Sequence, residues 1–120
     1  MAARLARCIE GGVAFHNAGL ANSQRALVES QFKKHRISCI VATPTLAAGV
    51  DIPARRVIVR DLNRFDVNVG LTPISRLEVK QMCGRAGRPR YDTYGEAVLT
   101  AKDGDDVRSE ERRVGKECRL

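Results

Sequence analysis

Three short, largely apolar runs constrain this chain more than anything else in it. Val13-Ala14-Phe15, Ile37 to Ala42 and Val57-Ile58-Val59 are too short for helices. Val13-Ala14-Phe15 suits a buried strand, Ile37 to Ala42 reads as a second apolar strand, and Val57-Ile58-Val59, apolar on consecutive residues, as a third that is buried on both faces. Helical patterns lie between and before them. Met1 to Glu10 alternate basic and apolar residues and stop at Gly11-Gly12, a capping pair, as the end of a helix whose start is missing. From Asn22 to Lys34, Ala26, Leu27 and Phe32 fit a 3.6-residue period, with Asn22 or Ser23 as cap. Strands alternating with helices predict an α/β fold, a parallel sheet with helices on both faces.

The pattern changes between Asp61 and Thr72, where Phe65, Val67, Val69 and Leu71 alternate with polar residues or glycine. That is strand periodicity outside the main sheet, and a protruding hairpin turning near Asn68 or Gly70 accounts for it. Ser75 with Glu78 three residues later forms a capping box at the start of another helix. Gly95 to Ala101 reads as the last strand. From Asp103 the apolar pattern gives way to mixed charge, so one domain is assigned to residues 1–102, with residues 103–120 an unassigned tail, non-native or disordered.

A chain of 120 residues suffices for one small domain, near the lower size limit for a sheet covered on both faces. Aromatic residues are only 4%, so the core must be built from Val, Ile, Leu and Ala. Lys and Arg number 21 against 14 Asp and Glu, and the resulting charge of +7 favours a polyanionic partner. Cys8, Cys39, Cys83 and Cys118 are scattered, with no paired spacing and no histidine cluster, which indicates neither a metal site nor a disulfide scaffold. A reducing, cytoplasmic compartment is the natural reading. No apolar run approaches the roughly 20 residues that span a bilayer, so no membrane partner is expected.

The chemistry concentrates in Gln81-Met82-Cys83-Gly84-Arg85-Ala86-Gly87-Arg88-Pro89. On a helix, residues three apart share a face, so Arg85 and Arg88 would present two guanidinium forks in one direction, a pair suited to a polyanion. Gly84 and Gly87 repeat the spacing and remove bulk beside each arginine. Pro89 would end that helix, with Arg88 in its last turn. Two further polar clusters fall at the carboxyl ends of strands, where open parallel sheets gather ligands: His16-Asn17 and Thr43-Pro44-Thr45.

Three stretches in this order resemble the second RecA-like domain of superfamily-two helicases. They are Phe15-His16-Asn17-Ala18-Gly19-Leu20, then Ala42 to Ala54 with Thr43-Pro44-Thr45 and Gly49-Val50-Asp51, then Lys80 to Pro89. The closest likeness is to the archaeal DNA helicases that act at stalled replication forks, over roughly residues 1–102. The resemblance implies a truncated RecA-like sheet and an ATP-dependent 3′-to-5′ DNA helicase as the parent protein. It implies that Arg85 and Arg88 reach the γ-phosphate of ATP, that Gln81 couples nucleotide to nucleic acid, and that Gly49 and Asp51 lie beside the ribose. Thr43, Thr45, His16 and Asn17 would then grip the phosphodiester backbone, although Asn17 stands where the family often has a second histidine. In the hairpin, Arg64 and Phe65 would meet the parting duplex. The implied partners are single-stranded or forked DNA and the first RecA-like domain of the same parent, which would hold most of the ATP and Mg2+.

Half of such an engine has no counterpart here: neither a G-x-x-x-x-G-K-S/T phosphate loop nor an Asp-Glu box occurs in the sequence. Arg108 to Leu120 does not continue the family pattern. An RNA helicase of the exosome or spliceosome type is the alternative within the class. Exosome relatives usually carry a second arginine where this chain has Pro89, and spliceosomal ones differ around Leu46 to Gly49. A non-catalytic nucleic-acid-binding module is the reading for the isolated chain.

Overall fold

The structure, a computed structural model, describes residues 1–44 and 52–100. They form two compact units, the first ending at Ile52 and the second beginning at Pro53.

The first unit contains α1 (Ala2–Glu10), β1 (Val13–His16), α2 (Asn22–Lys33) and β2 (Cys39–Ala42). Strands β1 and β2 pair in parallel, from Val13 opposite Cys39 to His16 opposite Ala42. Leu5 of α1, Ala14 of β1, Val28 of α2, Leu20 and Ile37 make the core, with Ile9, Phe15, Phe32 and Ile40 packed against it. Val28 is wholly inaccessible, a burial worth about 1.5–3 kcal/mol. Helix α1 stops at the glycines, the Gly11 and Gly12 N–H groups donating to the Cys8 and Ile9 carbonyls at 3.0 and 2.9 Å. Helix α2 begins at Asn22 as expected, but its cap is neither Asn22 nor Ser23. Ala21 is the cap residue, and its N–H donates to Gln24 Oε1 at 2.9 Å, while Asn22 is already helical and its side chain accepts from Arg25.

The second unit contains β3 (Arg56–Val59), β4 (Asn63–Asp66), β5 (Gly70–Pro73), α3 (Arg76–Cys83) and β6 (Glu96–Leu99). Strand β3 pairs in parallel with β6, from Arg56 opposite Glu96 to Val59 opposite Leu99. Strands β4 and β5 pair antiparallel, Asn63 opposite Pro73 and Asp66 opposite Gly70. Asp66 Oδ1 fixes the turn between them by accepting from the Asn68 and Val69 N–H groups at 2.8 and 3.3 Å. The expected capping box opens α3: Ser75 Oγ accepts from Glu78 N–H at 3.2 Å, and Ser75 N–H donates to Glu78 Oε2 at 3.1 Å. Val79, Met82 and Cys83 of α3 pack with Val59, Leu62 and Ile74, and Val57 and Leu99 flank them.

Two expectations change. Among the described residues the strands form three two-stranded sheets, the expected hairpin and one parallel pair in each unit, where the parallel strands were anticipated in one sheet. Ile58 was expected to be buried and is 62% exposed. Val57 and Val59 face the α3 cluster, and alternation along the strand turns Ile58 the other way, toward a face on which Val98 is also exposed. Among the described residues, no helix is long and apolar enough to cross a membrane.

Candidate functional site

In the first unit, the parallel register brings the carboxyl ends of β1 and β2 side by side, and with them His16, Asn17 and Thr43. The Thr43 N–H donates to the His16 carbonyl at 3.4 Å, extending the ladder one step past β2. The Thr43 side chain is exposed. Asn17 spends its amide oxygen on a local turn, Oδ1 accepting from the Gly19 N–H at 2.9 Å. The His16 ring is buried, with Nε2 hydrogen-bonded to Glu29 Oε1 of α2 at 3.1 Å. That imidazole ties strand to helix, so this corner offers main chain, Asn17 and Thr43 to a ligand. Thr45, Gly49 and Asp51 lie outside the described residues.

In the second unit, the arginine segment departs from the helical expectation. Helix α3 ends at Cys83, and Arg85 and Arg88 lie in the loop that follows. The Arg85 and Ala86 N–H groups donate three residues back, to Met82 and Cys83 at 3.2 and 3.1 Å, tightening the last turn. The backbone then leaves the helix for another partner. Ala54 N–H donates to the Arg85 carbonyl at 3.0 Å, and Gly87 N–H donates to the Ala54 carbonyl at 2.7 Å, a parallel bridge between residues 54 and 86. Gly87 sits at φ +96°, a left-handed conformation that glycine adopts at little cost and that a continuing helix excludes. The segment also meets Gly95, where a Cβ would fall 2.3 Å from the Ala86 carbonyl carbon. The loop is thus held between Ala54 and Gly95.

Arg85 is half-buried, its Nε shielded from solvent. Arg88 grips Asp92: Nε donates to Oδ2 at 2.8 Å and Nη2 to Oδ1 at 3.1 Å, while the Arg88 backbone N–H also donates to Oδ2 at 3.0 Å. These bonds hold the Asp92 carboxyl below the usual aspartate range and push the Arg88 guanidinium upward. Tyr91 lies under the guanidinium, 5.4 Å from ring centre to Cζ, and Arg55 approaches the Tyr94 ring at 6.0 Å. Gln81 is exposed on α3. Arg64 of the hairpin donates from Nη1 to Glu78 Oε1 at 2.7 Å, linking β4 to the first turn of α3. Phe65, opposite Leu71, is 77% exposed, and Val67, Val69 and Leu71 are exposed with it.

Four residues that shape these sites were not singled out from sequence: Glu29, Ala54, Asp92 and Gly95. Asp92 had a signal, an acid four residues beyond an arginine. The others act through contacts distant along the chain. Among the described residues, no group of three His, Cys, Asp or Glu side chains could hold a metal ion. Two arginines on a braced loop do have the donor chemistry for phosphate oxygens.

Residues 3–90 match the family described as the helicase conserved C-terminal domain. Among curated relatives, the ATP-dependent DNA helicase Hel308 of Methanocella arvoryzae is 59% identical over 103 residues, covering 86% of this chain and 14% of the relative. The protein of the same name from Pyrococcus horikoshii is 54% identical over 98 residues, 82% of this chain and 14% of its own length. That from Thermoplasma acidophilum is 61% identical over 88 residues, 73% and 13% respectively. The chain spans about one seventh of the length of the curated relatives it matches.

Proposed function

We infer, from the premise that this chain belongs to the helicase conserved C-terminal domain family, that it is part of the second motor domain of an ATP-dependent DNA helicase. The observation that carries the reading is the match over residues 3–90, which takes in the β1 corner and both loop arginines. The relatives named above supply the substrate class: each is an ATP-dependent DNA helicase by name, and this chain's excess of basic residues suits a nucleic-acid track.

In this reading Arg85 and Arg88 complete a nucleotide site whose other wall is the first RecA-like domain of the same parent. A planar, permanently charged fork stabilises charge developing on a transferring phosphoryl group. Asp92 holds the Arg88 guanidinium through Nε and Nη2, a side-on grip that orients the fork. Bound ATP with Mg2+ would supply the phosphoryl transfer, held mainly by the first domain. Gln81 couples that site to the track, and Gly49 and Asp51 take the ribose. Thr43, Thr45 and Asn17, with the main chain at His16, hold the strand backbone without reading sequence. Arg64 and Phe65 lie on the hairpin that meets the fork, and translocation runs 3′ to 5′. By itself, lacking a phosphate loop, the 120-residue chain binds nucleic acid without turning over ATP.

The test is Arg88→Ala in the intact helicase carrying this segment. DNA-stimulated ATP hydrolysis should fall by a factor of about 10³ while affinity for single-stranded DNA stays nearly constant. Unchanged turnover would overturn the assignment.

A further inference from the structure

Among the groups the proposed function leaves unused, Asp92 has the most structured surroundings. Its side chain is 7% exposed against 26% for Arg88, so the carboxylate is the anchored partner and the guanidinium the presented one. Three bonds converge on that carboxylate from a single residue, two from the guanidinium and one from the backbone N–H of Arg88. The Asp92 N–H in turn donates to the Arg88 carbonyl at 2.9 Å, and the Tyr91 N–H reaches the same oxygen at 3.0 Å, closing residues 88–92 into one small ring. The guanidinium lies over the Tyr91 ring.

We propose that Asp92 is a positioning residue for Arg88: it fixes the plane and heading of the fork before a phosphate arrives. The proposal rests on reading Arg88 as the phosphate ligand. Arginine carries four rotatable bonds, and a free side chain would have to be ordered at the moment of reaction. A side-on grip through Nε and Nη2 removes that freedom in advance, and geometry set beforehand is what an orientation-dependent step requires. The lowered pKa of Asp92 keeps the carboxylate charged throughout the neutral range, so the grip persists where the motor works.

Asp92→Asn in the intact helicase should lower kcat for DNA-stimulated ATP hydrolysis by roughly 10- to 100-fold and leave KM for ATP within about twofold. Asp92→Glu should restore part of the loss. Because Asp92 acts through Arg88, the Arg88→Ala/Asp92→Asn double variant should be no slower than Arg88→Ala alone. Losses that multiply, or a kcat that Asp92→Asn does not change, would overturn the proposal. Solvent exchange of the Arg88 Nε–H, followed by NMR on the 120-residue chain, reads the grip without any turnover. It should quicken markedly in Asp92→Asn, and exchange that stays unchanged would overturn the positioning role. Should Arg88→Ala leave hydrolysis intact while that exchange still responds to Asp92, the phosphate role of Arg88 fails and the grip stands.

Discussion

Gly95 approaches Ala86 so closely that no side chain fits between them: a Cβ on Gly95 would lie 2.3 Å from the Ala86 carbonyl carbon and 2.4 Å from its oxygen. Both obstructing atoms are backbone, and the Ala54 bridge also holds that backbone. Gly95→Ala should therefore cost about 1–3 kcal/mol, toward the upper end of what overpacking costs. Urea unfolding of the 120-residue chain measures it, and amide shifts at residues 85–88 should move with it. Wild-type stability in this variant would show that the loop is not braced there.

Ser75→Ala should remove about 1 kcal/mol by breaking the capping box of α3. The deficit should depend on pH. Hydrogen bonds from Ser75, then the nearby Arg64 charge, lower the pKa of Glu78, so its contribution is present above the unfolded carboxylate value and is lost as pH falls through the folded value. The gap between wild type and Ser75→Ala should accordingly narrow in the acid range below the ordinary glutamate pKa. Paired melts across that range check it, and a gap that widens on acidification would contradict the sign.

Phe65→Ala tests the hairpin. The ring is exposed and packs against no core cluster, so removing it should change stability by less than about 0.5 kcal/mol, as surface substitutions do. If it stacks on an unpaired base, affinity for single-stranded DNA should fall by an amount equivalent to about 1–3 kcal/mol. Fluorescence titration with a short oligonucleotide gives the answer, and unaltered binding together with lost stability would make the ring a structural anchor.

The readable parts of this chain were those decided locally. The apolar runs became β1, β2 and β3, the glycine pair ended α1, and Ser75 with Glu78 opened α3, each decided within a few residues. The arginine segment was misread as helix because a spacing of three suits a helix face and a loop equally well. What settles it is the bond between Ala54 and Arg85, with Gly87 at positive φ, and no periodicity reports a partner 31 residues away. The burial of His16 against Glu29 was hidden for the same reason, and the exposure of Ile58 depends on which face of the strand a helix covers. Residues 103–120, like Thr45, Gly49 and Asp51, fall outside what the structure describes.

The pairing of Arg56 with Glu96 spans forty positions, and the hairpin, α3 and the arginine loop all lie within that span. During synthesis, β3 emerges long before β6, and Gly95 arrives immediately ahead of it. Until then the nascent segment has neither its second brace nor its closing strand, and long-range pairing of this kind forms slowly. Without that strand and the glycine before it, the backbone that carries Arg85 and Arg88 keeps only the Ala54 bridge of its two contacts.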